Sequence, residues 1–148
     1  MEYRKFPIEF VERTKHLLEC YEGDFEVTNL INCLLGLIIL PFEFASSKHT
    51  RDFWNNMSLE EVKKRTKYEL LTGSEDSIEN AHDLVRLIRN AFAHASVKTT
   101  SIKGEIESVI ILGRASRRSQ RRLEIRLSIQ GLKELALMIA DYYLSQRS

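Results

Sequence analysis

The chain has 148 residues, 43% of them hydrophobic and 29% charged, with 22 Lys and Arg against 21 Asp and Glu. That balance excludes a disordered or fibrous chain and lets a core form without staples, so one domain spanning residues 1–148 is expected. A net charge of +1 excludes a molecule that draws nucleic acid by its total charge alone.

From the N-terminus, Met1-Glu2-Tyr3-Arg4-Lys5 has no signal-peptide core behind it. Phe6 to Tyr21 has helical spacing in Phe10, Thr14, Leu17-Leu18 and Tyr21, and Gly23-Asp24 breaks it. Glu26 to Leu40 predicts a second helix, apolar all round in its C-terminal half and ended by Pro41. The run Cys33 to Leu40 is far short of the ~20 residues of a membrane span, so a buried core helix is expected. Asn32 within it is a buried polar candidate that needs a partner. Residues 42–56 form a long connection, part of it helical, whose Phe44, Phe53 and Trp54 are expected to pack on the domain. Ser58-Leu59-Glu60-Glu61 has the form of a capping box and opens a helix to Leu71, with Gly73 placed to end it.

The next helix, from about Asp76 to His94, is strongly amphipathic. Ile78, Ala81, Val85, Ile88 and Phe92 form its apolar seam, widened by Leu84, Leu87 and Ala91. On a helical wheel His82, Asp83, Arg86, Arg89, Asn90 and His94 fall on an opposite arc of about 140°. After Ala95 the pattern turns to strands, Ile102 to Leu112 and Leu123 to Ile129, the latter alternating with a period of two. Between them Gly113 to Arg122 is basic, so a β-hairpin with an arginine-rich tip is expected. Arg114, Arg117, Arg118, Arg121, Arg122 and Arg126 crowd this region with only Glu124 among them. Gly131 leads into a last helix, Leu132 to Ser145. The fold class read from these elements is mainly α: a helical bundle with a β-hairpin inserted before its last helix.

Chemistry concentrates in Arg89-Asn90-Ala91-Phe92-Ala93-His94. A guanidinium binds a phosphate through two parallel hydrogen bonds, and an imidazole moves a proton near neutral pH. Both groups also suit the C-terminal end of a helix as simple dipole partners. Arg86 and His82 share the polar face and, with Arg117, Arg118 and Arg121, are candidates for RNA contact. The same side chains could equally be a solvated face and a soluble hairpin tip. Cys20 and Cys33 have no CxxC spacing, which suggests a reduced, cytoplasmic protein. His16 and Cys20 stand four apart but nothing completes a ligand set, so no metal site is expected. No Gly-rich phosphate loop and no GxSxG sequence is present, and no cofactor is expected.

Arg89-Asn90-x-x-x-His94 at a helix end resembles the signature of the HEPN superfamily (higher eukaryotes and prokaryotes nucleotide-binding). Glu26-Val27-Thr28-Asn29-Leu30-Ile31-Asn32, then Leu34-Leu35-Gly36-Leu37 and Leu40-Pro41, are similar to a plasmid-borne branch of small HEPN proteins. The resemblance implies a helical bundle that dimerises. It also implies a metal-independent endoribonuclease with Arg89, Asn90 and His94 catalytic; attack by the RNA 2′-OH would then leave 2′,3′-cyclic phosphate ends. Asn32, from its place in the apolar helix, could face the motif helix and orient Arg89 or bond across the core. Roles in phage defence or a toxin–antitoxin system follow, with RNA, a second copy of the chain and an antitoxin or inhibitor protein as partners. The alternative is a catalytically inactive dimer that binds RNA or protein. Some HEPN toxins have a modified Tyr two residues after the motif His; here Ser96 holds that position, so that modification is not expected.

Overall fold

The structure is a computed structural model that describes residues 6–43, 46–73, 77–114 and 122–146. Three helices pack together: α1 (Ile8–Cys20), α2 (Glu26–Glu43) and α6 (Ile129–Ser145). They are joined by α3 (Ser47–Asn56), α4 (Leu59–Thr66) and α5 (Ala81–Ala93). Four strands, β1 (Glu69–Thr72), β2 (Val97–Ile102), β3 (Glu105–Gly113) and β4 (Leu123–Ser128), form an antiparallel sheet in the order β1-β4-β3-β2.

Helices α3 to α6 begin where short polar side chains satisfy the free N–H groups of a first turn. Ser46 Oγ accepts from the His49 N–H at 3.1 Å, Ser58 Oγ from Glu61 at 3.3 Å, and Ser128 Oγ from Gly131 at 2.9 Å. Asn80 caps α5: its Oδ1 accepts from the Asp83 N–H at 2.9 Å, while Asp83 Oδ2 accepts from the Glu79 N–H at 3.0 Å. This exchange sets the start of α5 at Ala81, five residues after the sequence-based start at Asp76.

The core lies between the sheet and the helices. Val109 and Ile111 of β3 stand opposite Leu127 and Ile125 of β4, and all four are fully buried. Against them lie the Leu84, Leu87 and Ile88 face of α5 and the Leu132, Leu135 and Ile139 face of α6, also fully buried. Burying a side chain of that size stabilises the fold by about 1.5–3 kcal/mol. The seam expected for α5 is buried throughout except Phe92, which is partly covered. Phe53 and Trp54 are buried, as expected, and Phe53 stacks edge-on with Tyr142 at 4.9 Å, joining α3 to α6. Phe44 lies outside the described residues. Ion pairs add Lys15–Asp141 at 2.6 Å between α1 and α6, and Arg65–Glu134 at 2.9 Å between α4 and α6.

The mainly helical reading holds, but the strand content is larger than one inserted hairpin. The segment that carries Leu70 and Leu71 does not continue α4. Lys67 turns left-handed (φ 52°), and Glu69–Thr72 then pairs with the free edge of β4. Gly73, at φ 110°, ends that strand and not a helix; a Cβ there would lie 2.2 Å from Leu123 Cδ2. The span 97–113 is two strands with a turn at Lys103-Gly104, both at positive φ (54° and 82°), the turn geometry that matches strand twist in a tight hairpin. Helix α2 runs two residues past Pro41, because a proline near the last turn removes only one donor from a ladder already ending.

Asn32 is exposed, which corrects its expected burial. α2 is covered on the side of Leu30, Cys33, Leu34, Leu37 and Ile38, and its other side reaches the surface, where Leu40 is 39% exposed. The amide that bonds across helices is Asn29, whose Nδ2 donates to the Leu17 carbonyl at 3.4 Å and whose Oδ1 accepts from the Cys33 thiol at 3.8 Å. Among the described residues no helix is long and apolar enough to cross a membrane.

Candidate active site

Helix α5 delivers the motif, and its last turn fixes the motif histidine. His94 is the C-cap residue, with its N–H bonded to the Asn90 carbonyl at 3.0 Å. Ala95 then adopts the left-handed conformation (φ 53°), so that its N–H reaches Phe92 O at 3.3 Å and the Ser96 N–H reaches Ala91 O at 2.8 Å. These two bonds make a Schellman end, which satisfies the carbonyls that a helix terminus leaves open. Ser96 O in turn accepts from the Leu112 N–H at 3.1 Å, so the cap is tied to the sheet on its far side.

The polar arc of α5 divides in two. Arg86, Asn90 and His94, at successive steps of four, face a cleft of about 520 Å³ between α5 and the end of the β3–β4 hairpin. That volume lies in the range of small-ligand sites. Ser96 and Leu112 line it as well, and Arg114 and Arg122 stand on its hairpin side. Arg86 is half-buried; Asn90, His94, Arg114 and Arg122 are exposed. Arg89 is exposed too, but it is not among the residues lining this cleft. His82 is half-buried on the same helix; burial first, then the Arg86 cation, lowers its pKa, while Asp83 pulls the other way.

The hairpin arginines separate accordingly. Arg114 and Arg122 join His94, whereas Arg126 points elsewhere and pairs with Glu69 at 3.5 Å across β4 and β1. Arg117, Arg118 and Arg121 lie outside the described residues. Arg114 and Arg122 were not among the expected site residues. The signal for them was the alternation from Leu123 to Ile129, which puts Leu123 opposite Gly113 and so sets the next residue outward on each strand at the hairpin neck. No described side chain hydrogen-bonds the His94 imidazole. His16 Nδ1 and Cys20 Sγ lie 3.7 Å apart at the surface, and no third His, Cys, Asp or Glu joins them among the described residues.

A titratable imidazole, an amide and three guanidiniums around one open cleft can bind an anion and move a proton beside it. Comparison with curated proteins and with solved structures returns no match. Among protein families, the model described as HEPN pEK499 p136 matches residues 1–148, the whole chain. The helical order, the motif at the end of α5 and that match together make the chain a member of this HEPN family.

Proposed function

We propose that the chain is a metal-independent endoribonuclease that works as a homodimer, residues 1–148 acting as one domain. The observation that carries this reading is that Asn90 and His94 open onto a cationic cleft at the surface, and are not sealed in the core. Family membership supports the same class of chemistry.

RNA brings its own nucleophile. As the 2′-oxygen attacks phosphorus, its proton passes to a base; the bond from phosphorus to the 5′-oxygen breaks as that oxygen takes a proton from an acid. The products are a 2′,3′-cyclic phosphate and a 5′-hydroxyl, with nothing oxidised and no water consumed. His94 performs one of the two proton transfers. Asn90 orients the imidazole or the phosphate, and Arg89 holds the nonbridging oxygens as charge builds. One protomer has a single motif imidazole, and its Arg89 stands outside its own cleft. A two-fold dimer supplies the second imidazole and brings Arg89 to a shared phosphate. We place this activity in phage defence or a toxin–antitoxin system, with an antitoxin or inhibitor protein holding it in check.

The test is cleavage of single-stranded RNA in EDTA, with the products identified by ³¹P NMR. Activity should be lost in Arg89→Ala and in His94→Ala, while circular dichroism stays that of the parent. Specific activity should rise with protein concentration through the dimerisation range. Unchanged cleavage by His94→Ala would refute the assignment. A second reading, a module that binds RNA or protein without cutting, draws on the His94 imidazole having no orienting partner among the described residues. Protection of RNA without scission would select it.

A further inference from the structure

Arg114 and Arg122 reach the cleft through a specific contact. Gly113 and Leu123 form the last register pair of β3 and β4 at this end, so the two arginines follow on facing strands at the neck of the hairpin. A Cβ on Gly113 would lie 2.8 Å from Leu87 Cδ1, and Leu87 is fully buried. A side chain at 113 would press on the Leu87 methyl inside the core, so glycine eases the close approach of the end of β3 to α5, and Arg114 follows it at the cleft. Arg86, half-buried on α5, lines the same cleft.

Among the described residues these cations have no carboxylate partner. The described residues lining the cleft include no carboxylate. Among the described residues, neither Arg86 nor Arg114 nor Arg122 takes part in an ion pair, whereas Arg13, Arg65 and Arg126 each have a carboxylate. Three guanidiniums around one cleft concentrate positive charge there, which favours a bound anion. Arg86 and His94 are eight residues apart on α5, about 12 Å along the axis. A phosphate beside the imidazole therefore leaves the Arg86 end free for a second one. No Phe, Tyr or Trp is among the described lining residues, and at the Arg86 end the described cationic groups are guanidiniums suited to phosphate.

We propose that Arg86, Arg114 and Arg122 form a second phosphate subsite, which holds a backbone phosphate of single-stranded RNA neighbouring the one at His94. The identity of the ligand rests on the ribonuclease reading; the anion site rests on the charges of the cleft. The subsite reads backbone and not base, so it positions the strand without choosing its sequence.

The test is binding of a fluorescein-labelled, fully 2′-O-methylated RNA decamer, which cannot be cleaved, followed by anisotropy from roughly 50 to 200 mM KCl. Each phosphate neutralised on a single strand contributes a slope of about −0.7 to log K against log salt. The Arg114→Ala/Arg122→Ala double variant should bind more weakly at low salt and with a slope flatter by about 0.7. Arg114→Lys/Arg122→Lys should recover the slope while binding less tightly, because an ammonium lacks the guanidinium fork. Lys48→Ala/Arg51→Ala, exposed on α3 and outside the cleft, should leave the slope unchanged. An unchanged slope in Arg114→Ala/Arg122→Ala, or an equal flattening in the α3 control, overturns the subsite. If the parent protein never cleaves RNA but the slope shifts as stated, the nuclease reading fails and the subsite stands.

Discussion

Replacing Ala95 by Gly should stabilise the protein, and the size of the effect follows from one dihedral angle. Ala95 sits at φ 53°, held there from both sides: its own N–H and that of Ser96 close the end of α5, and Ser96 O is bonded to β3. A Cβ in the left-handed region costs roughly 1–2 kcal/mol. Glycine removes that strain but gains freedom in the unfolded chain worth about 0.4–1 kcal/mol. The mid-range difference is a net stabilisation of about 0.8 kcal/mol. For a chain of this length the melting temperature should rise by about 2–3 °C. Ala95→Val should do the opposite, since a β-branched residue tolerates positive φ worst. Urea unfolding followed by circular dichroism measures both as shifts of the midpoint at constant slope. A lower midpoint for Ala95→Gly, or none of the expected loss for Ala95→Val, would show that α5 does not end in this cap. Because His94 is the C-cap residue of α5, on the proposed nuclease reading the valine variant should also lose more RNA cleavage than its fraction unfolded accounts for.

Gly131→Ala gives the contrary sign to what helix propensity implies. Alanine is favoured over glycine in a helix by about 1 kcal/mol, but the new Cβ would stand 2.6 Å from the Thr66 carbonyl and 3.1 Å from Ser128 Oγ. The backbone oxygen cannot swing aside, so α6 must lift from α4, and a loss of about 1–3 kcal/mol is expected in the same urea assay. His82, whose pKa is lowered in the fold chiefly by burial and then by Arg86, should make stability fall as pH drops below about 6.5, where the unfolded chain takes up the proton first. The contribution is intact above that pH, and His82→Gln should flatten the decline; an identical pH profile would contradict it. Finally, Cys20 is exposed, while Cys33 is buried with its thiol pKa pushed up. Mass spectrometry after iodoacetamide treatment at pH 8 should find Cys20 alkylated first and Cys33 only after unfolding.

What could be read from the chain divides by the distance over which its cause acts. The α5 seam, the Ser58 cap and the β4 alternation arise from neighbours within two turns or one strand, and each was legible. The strand β1 was not, because Leu70 and Leu71 continue a helical spacing and what draws them out is the edge of β4, more than fifty residues later: Leu70 pairs with Ile125. The Lys103-Gly104 turn was missed because β-branched residues on both sides of it, Ile102 and Ile106 among them, read as one strand from Ile102 to Leu112, although these two are 56% and 38% exposed. Asn32 misled for a related reason. An apolar helix surface says that neighbours are wanted, not on which side they stand, and α1, α5 and α6 leave the Asn32 side of α2 open.

The site shows the same division at finer scale. Helical periodicity alone gathered His82, Arg86, Arg89, Asn90 and His94 on one arc. It could not say that the arc would be cut between Arg89 and Asn90, because that boundary is drawn by the end of β3, which packs against Leu87 at Gly113. Gly113 lies in the cleft wall beside His94, and it is followed by Arg114 at the rim, facing Arg122, while Arg89 is not among the residues lining the cleft. The end of β3, tied to Ser96 through the Leu112 N–H and lying against Leu87 at Gly113, is in this way what gives the polar face of the helix an inside and an outside.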